Sequence, residues 1–221
     1  MRALAEPIRT RARGWAAWVP PGLMAGVLLA GVAAAAAPPE TFETYRAPDG
    51  SFTVTLPKGW EKHEGGHPYG DLTPISGVRL TGPKGADGAP ATLSALHYSG
   101  ERLFRNPDEF IQRQLDSMRR IDRDQKPAIT GIEVAKRPAR RFQIKTFELV
   151  YLPHPALPPV REGVVYEIAP PSRQVGMVDQ FIVIPASKGY FVLGYRAQDG
   201  EAGEHQETFA RMAGSFSPQL P

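Results

Sequence analysis

The chain has 221 residues, no cysteine, and a net charge of +3 from 26 basic and 23 acidic residues. Without cysteine, disulfides, thiolate catalysis and cysteine-based zinc sites are excluded. Four of the basic residues (Arg2, Arg9, Arg11, Arg13) and one acid (Glu6) fall in residues 1–37, so the rest of the chain is balanced at 22 of each sign. The basicity belongs to the leading segment, and it makes no electrostatic case for a nucleic-acid partner.

That leading segment reads as an export signal. Its basic front is followed by an apolar run from Leu23 to Ala35, then by small residues. This order is the signature of a secretory signal peptide, here residues 1–36. Ala33-Ala34-Ala35 and Ala34-Ala35-Ala36 both fit a small-x-small cleavage pattern. The rival is an uncleaved anchor. Leu23 to Ala37 falls short of the roughly 20 residues a spanning helix needs, and Pro20 and Pro21 stop it extending backward. The reading predicts a periplasmic or secreted protein with no stable span after cleavage. The remainder, 37–221, is long enough to bury its own core as one domain.

Strands come first. Ser51 to Leu56 alternates Phe52, Val54 and Leu56 with Thr53 and Thr55, the period of a half-buried strand. Pro57 and Gly59 end it, and Trp60 is expected to plug the core. Gly77–Thr81 and Ala91–Tyr98 are the next strands, around a turn-rich loop, Gly82–Pro90. A helix is expected from Asn106. Asn suits the N-cap, Pro107 the first helical position, and Asp108 and Glu109 the positive helix start. Phe110, Ile111, Leu115, Met118 and Ile121 give it one apolar face.

The second half predicts strands over Ile129–Ala135, Arg141–Tyr151, Gly163–Ile168, Gln180–Ile184 and Tyr190–Arg196. In Arg141–Tyr151 the apolar phase changes between Ile144 and Phe147, which predicts a bulge near Thr146. Gln180–Ile184 and Tyr190–Tyr195 are apolar on both faces, as in central strands. A short helix over Gly203–Ala213, closed by Gly214, ends the fold. The class is α+β: an antiparallel sheet of about seven strands, the long helix on one face and the short one on the other.

The opening Ser-Phe-Thr-Val-Thr-Leu-Pro-Lys-Gly-Trp (Ser51 to Trp60) resembles the entry motif of PsbP-like domains. The order of elements also fits, down to the closing Ala213-Gly214-Ser215-Phe216. The resemblance spans Thr41 to Phe216 and extends to the DcrB-like exported bacterial proteins. It implies an α/β/α sandwich and a non-enzymatic module that docks onto larger assemblies. Phe52, Leu56, Pro57 and Trp60 match the motif as packing residues. The acylated cysteine of cyanobacterial relatives is absent, which argues against a photosynthetic role.

One string matches a catalytic motif literally. His63-Glu64-Gly65-Gly66-His67 has the zincin spacing, but that chemistry needs both histidines on one helical face. Two glycines cost a helix roughly 2 kcal/mol, and Pro68 disfavours helix at His67. A solvated loop is expected, with a loop metal site from His63, His67 and Asp71 as the alternative. His97, His154 and His205 stand alone in sequence. No nucleophile elbow or phosphate loop occurs. The densest charge cluster is Lys136, Arg137, Arg140, Arg141 and Lys145. It is the candidate surface for an acidic protein or anionic headgroups, its plain alternative being a solvated strand end that guards an edge. These residues together predict an exported, non-catalytic module without a cofactor, binding a protein partner in the cell envelope. A small-ligand or metal-binding protein is the alternative, and a hydrolase the third reading.

Overall fold

The structure is a computed structural model, and it describes residues 41–65, 75–99, 106–121, 123–152 and 171–219. Strand β2 (Phe52–Pro57) forms as its alternation dictates. Phe52, Val54 and Leu56 are buried and Thr53 and Thr55 half-buried. It pairs with β1 (Phe42–Arg46) and the short β10 (Ser217–Pro218) in a three-stranded antiparallel sheet. The larger sheet has seven antiparallel strands in the order β3-β4-β5-β9-β8-β7-β6. These are β3 (Glu61–Glu64), β4 (Ile75–Lys84), β5 (Pro90–Tyr98), β6 (Thr130–Val134), β7 (Arg137–Tyr151), β8 (Ser172–Pro185) and β9 (Tyr190–Gln198).

Alternation along these strands sends side chains into two cores. Helix α1 (Pro107–Ile121) starts where its cap predicts, with the Asn106 Oδ1 accepting the Glu109 N–H at 2.9 Å. Its Phe110, Ile111, Leu115 and Met118 pack with Leu96, Tyr98, Phe142, Ile144, Val183, Tyr190 and Val192. The Tyr98 and Tyr190 rings stack there at 5.0 Å. The other core joins Phe52, Val54 and Leu56 to Leu93, Ile182, Phe191, Leu193 and Tyr195. Helix α2 (Gln206–Ser215) contributes Phe209 and Met212 to it, and Phe216 follows them in. Trp60 is half-buried at its margin, edge-on to His205 at 5.2 Å. Residues Pro39–Pro221 form one compact unit. No helix among the described residues is long and apolar enough to cross a membrane.

The α+β class and the seven-stranded antiparallel sheet match the expectation. Several details differ, among them strand β3, which forms where a loop was expected, and β8, which starts at Ser172 rather than Gln180. A second sheet, β1-β2-β10, contributes to the core that α2 was expected to cover. There is no bulge at Thr146: pairing of β7 with β8 runs unbroken from Arg140↔Val183 to Tyr151↔Ser172. The strand expected from Arg141 starts at Arg137, because β6 and β7 join through a two-residue turn. Gly214 does not close α2; it lies inside the helix, and Phe216 takes the cap in extended conformation. The expected strand Gly163–Ile168 lies outside the described residues.

Candidate functional site

Strand β7 is where sequence and structure differ most. Its entry is the turn Ala135-Lys136, with φ of 49° and 62° and the Val134↔Arg137 pair closing it. Positive φ at both central positions is the type I′ geometry, whose backbone twist suits a tight hairpin. The turn places the predicted basic residues on different sides of the sheet. Lys136 is exposed at the tip. Arg140 alternates toward α1 and ion-pairs with Asp108 in its first turn. Arg137, Arg141 and Lys145 alternate to the face of Ala139, which lies in the core shared with α2. Lys145 Nζ sits 2.8 Å from Asp199 Oδ2, and its backbone N–H donates to Gln125 Oε1 at 2.8 Å. Such exposed pairs contribute about 0–1 kcal/mol. The five cations are therefore not one patch.

The face carries a row instead. Every second residue from Arg141 reads Arg141, Gln143, Lys145, Phe147, Leu149, Tyr151, and all six are exposed. Phe147 is 39 % exposed, Leu149 45 % and Tyr151 66 %. Strand β6 pairs with β7 only over Arg137–Arg141, so the segment bearing the apolar row has no strand on its outer side among the described residues. Sequence reasoning missed the row. The change of phase that read as a bulge is in fact a regular strand whose buried side chains are on one face up to Ile144 and whose large apolar ones lie on the other from Phe147.

The reverse side braces this segment. Arg196 of β9 lies across the sheet, its Nε 3.4 Å from Asp179 Oδ1 and one Nη 3.5 Å from Glu148. The same guanidinium donates to the Phe147 carbonyl at 3.3 Å. Thr146 Oγ1 donates to Asp179. Burial pushes the Asp179 carboxyl above its usual range, outweighing Arg196 and Thr146, which pull the other way. Next to these groups, Val150, Val175, Met177 and Ala89 form a small apolar cluster.

The histidines separate cleanly. His63 and Glu64 lie in strand β3, so the zincin helix does not form, and His63 Nε2 is 3.5 Å from Glu61. His67 and Asp71, the rest of the alternative metal loop, lie outside the described residues. His97 is buried and bridges Asp49 Oδ2, at 3.1 Å, and the Lys188 carbonyl, at 2.9 Å. Ser51 donates its hydroxyl to the other oxygen of Asp49 at 2.6 Å. Burial raises the Asp49 pKa, but the bonds from Ser51, His97 and Ser76 outweigh it and hold the carboxyl at about 2. The three residues are those of a hydrolase triad in a different order. The serine bonds the acid rather than the histidine, and the second histidine nitrogen is held by a carbonyl. They tie the β1–β2 turn to β5 and to the β8–β9 turn.

A second concave feature lies on the α2 side. A cleft of about 360 Å³ separates the β6–β7 hairpin from α2, with Glu133, Arg141, Gln180 and Gln206 among its polar residues and Ile132, Ile182 and Phe209 among its apolar ones.

No family model matches the chain, and no curated protein matches it. Solved structures similar to it include the following two. One is a protein of Bacteroides thetaiotaomicron VPI-5482, 10% identical with a TM-score of 0.38, the match covering 80% of this chain and 48% of that one. The chain thus spans about half the length of that protein. The other is LpqN of Mycobacterium tuberculosis, described as involved in cell envelope biogenesis. It is 13% identical with a TM-score of 0.41, the match covering 82% of this chain and 91% of that one.

Proposed function

We propose that the chain is an exported, non-catalytic module of PsbP-like type that docks onto a protein partner in the cell envelope through the outer face of β7. The observation that carries this reading is the row Phe147, Leu149, Tyr151, exposed on an edge with no strand beyond it among the described residues. An open edge with a large apolar face is a pairing template, and isolated proteins blunt such edges. Lys145 and Arg141 continue the row on its basic side. The complementary partner surface is an apolar patch beside an acidic one. The PsbP-like sandwich, with helices over both sheet faces, belongs to the same proposal. It is supported by α1 packing in one core and Phe209 and Met212 of α2 in the other.

The test is site-specific photo-crosslinking in the producing cell. A crosslinker at Leu149 should capture one envelope protein that a crosslinker at Gln112, exposed on α1, does not. Capture of the same set from both positions overturns the assignment of the face. Capture at Gln112 alone moves the interface to α1.

The cleft beside α2 favours a second reading, small-ligand binding.

A further inference from the structure

The cleft between the β6–β7 hairpin and α2 holds two sets of donors that have no partner among the described residues. Arg141 reaches its mouth from β7, and its guanidinium makes no ion pair or hydrogen bond among the described residues. Gln180 lies deeper, 8 % exposed. Its Oε1 accepts from the Gln206 side-chain amide at 3.1 Å, which leaves the Gln180 amide N–H groups without a partner among the described residues. Both donor groups border an apolar wall of Ile132, Ile182, Phe209 and Ala210. Glu133 also borders the cleft, but it alternates with Ile132 and Val134, whose side chains join the α2-side core, so its carboxylate belongs to the opposite sheet face.

An arginine fork beside an amide donor matches a carboxylate, which accepts two hydrogen bonds in one plane. An apolar wall matches an aliphatic body. At about 360 Å³ the cleft lies in the lower part of the range of small-molecule sites, roughly 300–1,000 Å³. We infer that this cleft binds a small amphipathic carboxylate, its acid group on Arg141 and Gln180 and its aliphatic chain along Phe209 and α2. The cleft shares Arg141 with the basic end of the β7 row, but Phe147, Leu149 and Tyr151 do not line it.

The experiment is calorimetric titration of the purified full chain with decanoate, its uncharged amide decanamide, and acetate. Two variants go with it. Arg141→Gln removes the charge at an exposed position, and Ala210→Phe fills the cleft from the exposed side of α2. Thermal melts check that both fold. The expected result is saturable decanoate binding, with decanamide and acetate each at least about tenfold weaker, since a charged hydrogen-bonded contact and the apolar body each carry that much. Arg141→Gln should weaken decanoate about tenfold or more, and Ala210→Phe should abolish binding. No saturable decanoate binding overturns the inference. Equal binding of decanamide overturns the carboxylate assignment. Decanoate binding unchanged in both variants places the ligand elsewhere and overturns the site.

Discussion

The Ala135-Lys136 turn positions everything on β7, and it does so against backbone preference. Both residues carry a Cβ and both have positive φ, at 49° and 62°. A side-chain-bearing residue in the left-handed region costs about 1–2 kcal/mol. Asn tolerates that region and Gly enters it freely, which is why Asn-Gly dominates such turns. Glycine also adds about 0.5–1 kcal/mol of unfolded-state entropy, which offsets part of the gain. The double substitution Ala135→Asn, Lys136→Gly should therefore stabilise the fold by about 1–2 kcal/mol. For a domain of this size that is about 2–8 °C in Tm. Urea unfolding followed by tryptophan fluorescence reads it directly. Lys136→Ala is the control, since it removes the charge and keeps the strained backbone. Equal stabilisation by the control would show that charge repulsion rather than turn geometry is at work. No stabilisation by the double variant would refute a type I′ turn here.

Two further outcomes rest on the packing. Gly189 has φ of 80°, and a Cβ there would lie 1.7 Å from the Tyr98 carbonyl oxygen, so Gly189→Ala should cost about 3 kcal/mol or more in urea unfolding, while Gly200→Ala, with nothing within 4 Å, should change stability by less than about 1 kcal/mol. Asp179 gives a pH signature. Its folded pKa is raised above 3.8 by burial, so its contribution to stability is fully present below that pH and is lost as pH rises through the folded value. Asp179→Asn removes this loss, so its stability relative to the native chain should improve between about pH 4 and pH 7. A difference that stays flat or falls over that range contradicts the assignment.

The fold was legible wherever one period held. Phe52, Val54 and Leu56 announced β2, and the Asn106-Pro107 start announced α1 to the residue. Both signals are local, which is why they survive without tertiary information. The second sheet was not legible, because β10 is two residues long and exists only by pairing with β2. The basic cluster was visible as composition. Its division between sheet faces depends on a turn built from Ala and Lys, residues that carry no turn signal. The apolar row had a sequence signal, the change of phase after Ile144, and it admitted two readings. Only the register with β8 separates a bulge from a strand that turns its large side chains outward. The cleft joins Ile132 and Arg141 to Phe209 across long sequence separation, and no local pattern marks it.

Docking stands or falls on the outer face of β7. The direct measurement is recovery of the crosslinked envelope partner from cells carrying Leu149→Glu together with Tyr151→Glu, beside the native chain and Ala210→Phe. Both substituted side chains are exposed, at 45 % and 66 %, so the variant should melt close to the native chain. The partner should be lost with the β7 variant and kept with Ala210→Phe. Undiminished recovery from a folded β7 variant would show that the partner binds elsewhere.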